Sequence, residues 1–268
     1  MLKFWIAILL TSSVLFGCNA DRNTGGGGQP DPADPLTSTT KTYEFSGPNC
    51  AVDSNQCLEV KVRYPVFAGT GADRLNAAIE DRLLYNIAFF ADPEEAREEL
   101  TLQRAVDSIN AMHQLSLADV DAFTNRWSLD TEGEVAYQSG RVVAVTLNNY
   151  SYMGGAHPNA FVDFINFDRK QDDAIIEPAD LYQDTVALQA VIEQKIRTLR
   201  KLPPDADLEE AGYFWDGDFV FPSNFLITEK GLELVYNPYE IAAYAVGFTE
   251  LFIPKAELTG LVRTEYWE

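Results

Sequence analysis

The 268-residue chain is strongly acidic: 41 Asp and Glu residues against 20 Lys and Arg residues give a formal net charge of −21. This charge argues against nucleic-acid binding, which requires basic surfaces that neutralise phosphates. Hydrophobic residues make up 46% of the chain, enough to fill the core of one large or two small domains. The composition therefore predicts a globular protein, and its negative charge is compatible with a cationic partner.

The amino terminus has the pattern of a lipoprotein signal. Residues 1–17 combine a basic residue, Lys3, with an apolar stretch that is too short for a stable transmembrane helix. The run Leu15-Phe16-Gly17-Cys18 resembles the bacterial lipobox, in which the cysteine is acylated and becomes the first mature residue. The resemblance implies lipidation of Cys18 and, because Asn19 follows it, anchoring in the outer membrane of a two-membrane cell envelope, facing the periplasm or the surface. Ordinary signal cleavage that leaves a free cysteine is the alternative.

Residues 18–41 are predicted to be the lipidated cysteine and a flexible linker. The segment contains Gly25–Gly28, three prolines and the polar run Thr37-Ser-Thr-Thr40, and its one large apolar residue is Leu36. The expected layout is a globular domain that is held at a membrane by an amino-terminal lipid.

The two remaining cysteines, Cys50 and Cys57, are expected to form a disulfide in an oxidising envelope compartment. This disulfide would close the loop between two predicted strands, residues 43–45 and 58–64. A zinc site is disfavoured, because two thiolates do not complete a tetrahedral shell and the histidines lie far away in the sequence. No metal and no cofactor is predicted.

The rest of the chain mixes strand and helix patterns. Strands are predicted at 43–45, 58–67, 134–138, 141–150, 161–167, 225–228, 232–236 and 251–253, and helices after Thr70, after Asp92, from Ser116 to Trp127, at 178–182 and after Asp184. The buried faces expected for two of these helices are Leu102, Val106, Ile109 and His113, and Leu188, Val191, Ile192, Ile196 and Leu199. Because strands and helices do not alternate regularly, the pattern predicts an α+β fold, with a largely antiparallel sheet packed with helices. The predicted division is a lipoprotein signal peptide at 1–17, the linker at 18–41, an amino-terminal α+β half at 42–150 and a carboxyl-terminal half at 151–268.

A glycine pair separates two of the predicted strands. Gly154 and Gly155 permit positive φ or a close approach of the backbone, and they precede His157, one of two histidines in the chain. Pro158 biases His157 toward extended geometry, which would point the imidazole in a defined direction. Such a turn could present the histidine for binding, but glycine pairs in strands usually mark bulges, so a bulged turn whose histidine is satisfied by a backbone carbonyl is the favoured interpretation.

Three segments together resemble the RsiV-like domain family: Tyr-x-x-Gly-Gly-Ala-His-Pro-Asn ending at Asn159, the predicted hairpin 225–236, and the run Pro238–Gly247 followed by 252–254. The resemblance covers roughly residues 42–261. The family includes the extracellular part of the anti-sigma factor RsiV, which binds lysozyme, a domain ahead of the catalytic module in PdaC-type peptidoglycan deacetylases, and free-standing lipoproteins. The resemblance implies a cell-envelope recognition domain for a peptidoglycan-related ligand or for a cationic protein such as lysozyme.

The candidate binding residues are those of the two motifs, which we expect to meet: Tyr152, Gly154, Gly155, His157, Asn159, Tyr239, Glu240 and Tyr244. A histidine beside a carboxylate can act as a general base, so a peptidoglycan-active hydrolase with His157 and Glu240 as catalytic residues is one alternative. A second alternative places Tyr239 and Tyr244 in the core, with Glu240 capping a turn. A structural role as an envelope lipoprotein partner is a third. The sequence has no P-loop, zinc-protease or serine-hydrolase motif, so a binding role is favoured.

Overall fold

The computed structural model describes residues 36–88, 101–118, 125–215 and 217–268. The predicted signal peptide, Cys18 and the linker up to residue 35 lie outside these residues. So do the expected helix start at Asp92 and residues 119–124 of the helix predicted from Ser116. Within the described ranges, no helix is long and apolar enough to cross a membrane.

Six strands form the larger sheet, in the order β1-β2-β3-β4-β5-β6. Their bounds are Thr37–Ser46, Leu58–Ala68, Trp127–Gln138, Val142–Met153, Asn159–Asp168 and Ala174–Ile175. Neighbouring strands are antiparallel except β2 and β3, which run parallel with Leu58 opposite Trp127. The predicted α+β class with a largely antiparallel sheet is confirmed.

Two helices, α1 (Ala72–Ala88) and α2 (Leu102–Ser116), lie between β2 and β3 in the chain and pack on one face of this sheet. Their buried residues recur at helical spacing: Leu75, Ile79, Leu83 and Ile87 on α1, and Ala105, Val106, Ile109 and His113 on α2. His113 is fully buried, and its Nε2 lies 2.7 Å from the carbonyl oxygen of Asn125. The prediction that His113 is a core or boundary residue is confirmed, with His113 in the core.

The opposite face of the larger sheet packs against a second, three-stranded antiparallel sheet, in the order β7-β8-β9. The remaining elements are α3 (Pro178–Leu181), α4 (Thr185–Leu199), β7 (Phe225–Thr228), β8 (Gly231–Tyr236) and β9 (Thr249–Pro254). The side chain of Asp184 caps α4 by accepting a hydrogen bond from Ala187 N. Leu188, Ile192 and Ile196 of α4 are fully buried in the same core as the second sheet.

Strand β4 contributes to both cores. Val142 and Ala144 face the second sheet, whereas Val143 and Val145 face α1 and α2, because successive side chains of a strand point to opposite faces. The strand also runs through residue 150, the predicted limit between the amino-terminal and carboxyl-terminal halves. Both halves therefore contribute strands to one sheet.

The disulfide between Cys50 and Cys57 is present in the loop that joins β1 to β2. The predicted pairing of the two cysteines, and its position between two strands, are confirmed.

The structure corrects two predicted boundaries and one predicted buried residue. Thr37–Lys41, assigned to the linker, belong to β1 and pair with β2, because β-branched threonines favour extended backbone. The predicted end of the third helix at Trp127 is wrong, since Trp127 is the first residue of β3, in which buried residues alternate with the period of a strand. Leu199 was expected to be buried, but it is the last residue of α4 and is 46% exposed.

Candidate functional site

The turn between β4 and β5 meets the segment that follows β8. The imidazole of His157 stacks on the ring of Tyr244, with 4.0 Å between ring centroids and 21° between ring planes. The hydroxyl of Tyr244 donates a hydrogen bond of 2.6 Å to the carbonyl of Pro158, and His157 Nδ1 lies 2.9 Å from the same oxygen. The structure thus brings together the glycine-histidine motif that ends at Asn159 and the motif that contains Tyr244, as expected from the sequence.

The backbone of this turn favours glycine at position 154 but not at position 155. Gly154 has a φ of 81°, which is in the region that favours glycine. A Cβ added at Gly155 would meet only the carbonyl of His157, at 4.0 Å, so no close contact requires a glycine there. Tyr152 and Asn159 are half-buried on the strands that enter and leave the turn. His157 makes the backbone-carbonyl contact that the bulged-turn interpretation predicts, and its side chain is nevertheless exposed.

Tyr239 adds a third ring beside His157 and Tyr244, and we call these three residues the ring cluster. Its side chain is 53% exposed, and its ring centroid lies 5.5 Å from that of Tyr244. The alternative that buries both tyrosines in the core is therefore wrong, since Tyr244 is only half-buried. Tyr239 also has a φ of 74°, a backbone conformation that costs about 1–3 kcal/mol for a residue other than glycine. The chain is fixed two residues later, where Ile241 is buried and its carbonyl accepts a hydrogen bond of 2.8 Å from Phe214 N.

Glu240 is directed toward Asn237 rather than toward His157. Its Oε1 accepts a hydrogen bond of 3.1 Å from Asn237 Nδ2, and its backbone N donates to the Asn237 carbonyl. Desolvation raises the pKa of Glu240, and the hydrogen bonds from Asn237 oppose this shift. In the part of the chain that the structure describes, His157 and Glu240 share no hydrogen bond. The pair proposed for the hydrolase alternative is therefore not assembled, and Glu240 takes part in the turn.

Asparagine side chains connect the second sheet to the edge of β5. Strand β6 pairs only with the last two residues of β5, which leaves the earlier edge of β5 without a strand partner. There, Val162 N donates to Asn237 Oδ1 at 2.8 Å, Asn224 Nδ2 donates to Val162 O at 2.7 Å, and Phe164 N donates to Asn224 Oδ1 at 2.8 Å. The two amides thus replace a neighbouring strand for the backbone of β5.

Asn166 also connects β5 to the second sheet, but here the side chain is on β5 and the backbone groups that it bonds are on β7. Its Nδ2 donates to Phe225 O at 2.6 Å, and its Oδ1 accepts from Ile227 N at 2.9 Å. These bonds join β5 to β7 within the core, where Asn166 is 2% exposed. Local sequence does not reveal the role of these asparagines, because each partner is about 60 or more residues away and no local pattern marks the pairing.

A groove opens between the larger sheet and strands β8 and β9, with two adjoining cavities of about 590 and 410 Å³. We call it the intersheet groove. Its lining includes four carboxylates, Asp130, Glu132, Glu233 and Glu250, and five aromatic rings, Tyr150, Phe161, Phe164, Phe248 and Phe252. Tyr150 and Phe252 are 44% and 43% exposed. None of the described residues that line it is basic, so the groove combines negative charge with accessible aromatic surface.

The groove was not predicted from the sequence, although the position of one of its glutamates could have been. Glu233 lies between Leu232 and Leu234 in β8, both fully buried, so alternation alone places it on the face of that strand away from the core. The walls are contributed by residues about 100 positions apart, and no spacing in the sequence indicates that they meet. Within the described ranges, no group of three His, Cys, Asp or Glu side chains is placed to hold a metal ion.

Comparisons with known proteins match two segments of the chain. Residues 51–160 match the family described as "Deacetylase PdaC", and residues 175–256 match the family described as "Protein of unknown function (DUF3298)". The peptidoglycan-N-acetylmuramic acid deacetylase PdaC of Bacillus subtilis (strain 168) is 30% identical over 221 residues, which are 80% of this chain and 41% of that protein. The chain thus spans about two fifths of the length of this curated relative.

Two solved structures share the fold. A DUF3298 family member from Bacteroides fragilis has a TM-score of 0.64 at 18% identity, covering 85% of this chain and 94% of that one. A DUF3298 family protein from Pseudomonas aeruginosa PAO1 has a TM-score of 0.63 at 25% identity, covering 87% of this chain and 97% of that one. With both family segments present in this order, the chain belongs to the DUF3298/PdaC-like family.

Proposed function

We propose that the chain is a binding domain of the cell envelope that captures a cationic protein, and that lysozyme is the first ligand to test. The single observation that carries the proposal is the intersheet groove, in which four carboxylates and exposed aromatic rings line one surface. The resemblance to RsiV-like domains supports the choice of lysozyme, because the domain of RsiV binds it. Lipidation at Cys18 would hold the domain at the outer membrane.

The chemistry of the groove favours a protein cation over a neutral ligand. The net charge of −21 attracts a positively charged protein over distances of about one Debye length, ~10 Å at moderate salt. At contact, Lys and Arg side chains can pair with carboxylates and lie over aromatic faces such as those of Tyr150 and Phe252. The neighbouring ring cluster of His157, Tyr239 and Tyr244 offers further rigid contact surface. Deacetylation is in the name of the B. subtilis relative, of which this chain matches less than half.

The proposal predicts saturable binding of lysozyme to the purified full chain in isothermal titration calorimetry. The affinity should fall at least about tenfold when the salt concentration rises from about 50 to about 500 mM, because screening weakens attraction between exposed charges. Lysozyme whose lysines have been succinylated is the matched control, since it keeps its size but loses much of its positive charge, and it should not bind.

Absence of lysozyme binding at low salt would contradict the proposal. So would equal affinity for native and succinylated lysozyme, because attraction between opposite charges could not then be the cause. Binding of soluble muropeptides without binding of lysozyme would indicate a cell-wall glycan as the ligand.

A further inference from the structure

One end of the intersheet groove is formed by two glutamates on neighbouring strands. Val235 of β8 lies opposite Glu250 of β9, and Glu233 lies opposite Phe252, so these four side chains share one face of the second sheet. The same residues line the 410 Å³ cavity, together with Val162 and Phe164 of β5. A cavity of this size is in the range of small-ligand sites and can hold one long side chain.

The negative charge at this end has no cationic partner within the described chain. Glu132, at the other end of the groove, is paired with Arg63 at 2.7 Å, whereas neither Glu233 nor Glu250 makes an ion pair with a described residue. Burial raises the pKa of Glu233, and the nearby charge of Glu250 raises it further. Two carboxylates that repel each other in a cavity without a basic lining residue would gain from a cation placed between them.

Phe252 supplies the second element that a cationic side chain recognises. It follows Leu251 in β9 and is 43% exposed on the same face as Glu250, which leaves its ring accessible from the groove. A guanidinium can stack on such a ring while its planar fork donates hydrogen bonds to carboxylates, and an ammonium can make weaker contacts of both kinds.

We infer that Glu233, Glu250 and Phe252 form a receptor for one arginine or lysine side chain of a cationic protein partner, with arginine preferred. This inference rests on the proposed function and deepens it, because it names the part of the partner that enters the groove. It concerns a single side-chain site rather than the overall charge of the chain, and the two can be separated by experiment.

The test is a calorimetric titration of the full chain with hexa-arginine amide at low salt. The double variant Glu233→Gln/Glu250→Gln should bind the peptide about tenfold more weakly than the wild type. The matched control is Glu209→Gln/Glu210→Gln, which removes the same charge from two exposed positions outside the groove and should change the affinity less than about twofold. Phe252→Leu keeps an apolar side chain but removes the ring, and it should weaken binding by about threefold.

Equal losses in the two double variants would overturn the inference, since the peptide would then respond to bulk charge alone. An unchanged affinity in the groove variants would overturn it as well, and so would binding of a chitin oligosaccharide at the groove in place of the peptide. The groove variants are expected to remain folded. Burial disfavours the ionised form of Glu233, so Glu233→Gln should leave the melting temperature at pH 7 unchanged or higher.

The outcomes for lysozyme separate this inference from the proposed function. If wild-type protein and groove variants bind lysozyme equally well, the proposed function stands and the receptor site is wrong. If the peptide binds at the groove but lysozyme does not bind at all, the receptor site stands and the choice of lysozyme is wrong.

Discussion

Replacing Arg141 with alanine is expected to lower the free energy of unfolding by about 3–5 kcal/mol, because it leaves a buried carboxylate without its counter-charge. Arg141 and Asp168 are 11% and 4% exposed, and Arg141 Nη2 lies 2.9 Å from Asp168 Oδ2. The same guanidinium donates to the carbonyl and carboxylate of Glu265, both at 3.2 Å. The substitution therefore also removes two hydrogen bonds that connect the carboxyl-terminal segment to the larger sheet. Urea denaturation followed by circular dichroism measures the loss.

The control for this prediction is Arg263→Ala, at an exposed arginine near the same end of the chain, which should change stability by less than about 0.5 kcal/mol. The double variant Arg141→Met/Asp168→Leu should recover part of the loss, because it removes both charges instead of leaving one unpaired. A loss below about 1 kcal/mol for Arg141→Ala would show that the ion pair does not hold the sheet and the carboxyl terminus together.

Replacing Asn166 with alanine is expected to cost about 3 kcal/mol, because two buried backbone groups of β7 lose their hydrogen-bond partner. Phe225 O and Ile227 N are in the core, where water cannot replace the amide of Asn166. For a domain of this size the melting temperature should fall by roughly 6–12 °C, which differential scanning calorimetry measures.

Asn55→Ala is the matched control for Asn166→Ala, because Asn55 is an exposed asparagine in the loop between β1 and β2. Its melting temperature should stay within about 2 °C of that of the wild type. Similar effects of the two substitutions would mean that the asparagine contacts do not position the second sheet against β5.

Local sequence patterns were sufficient for most of the secondary structure. The hairpin of β3 and β4 turns at Ser139 and Gly140, as the alternation on both sides predicts. Helix α1 buries Leu75, Ile79 and Leu83 at the expected period. The parallel pairing of β2 and β3 could not be predicted in the same way, because two helices and more than 50 residues separate the strands and strand patterns do not specify a partner.

The candidate site was predicted in part. The contact of His157 with Tyr244 agrees with the expectation that the two motifs meet, which came from the resemblance and not from local pattern. In the described residues His157 does not pair with Glu240, because the carboxylate of Glu240 accepts a hydrogen bond from Asn237, three residues earlier. The groove was not predicted, since its shape depends on how two sheets pack.

The two walls of the groove come from different family segments. Asp130, Glu132 and Tyr150 lie in the segment that matches the PdaC family, whereas Glu233 and Glu250 lie in the segment that matches DUF3298. The asparagine contacts between Val162 and residues 224 and 237 hold the two walls together. Neither family segment alone contains both walls, so we propose that recognition depends on their association.

Hydrogen–deuterium exchange of the full chain, alone and with saturating lysozyme, tests the central claim most directly. We expect slower exchange in peptides from residues 148–162 and 233–252, which contain most of the residues that line the groove and the ring cluster of His157, Tyr239 and Tyr244. Unchanged exchange in both segments, or protection confined to the acidic segment 205–218, would contradict the claim that the groove binds a cationic protein.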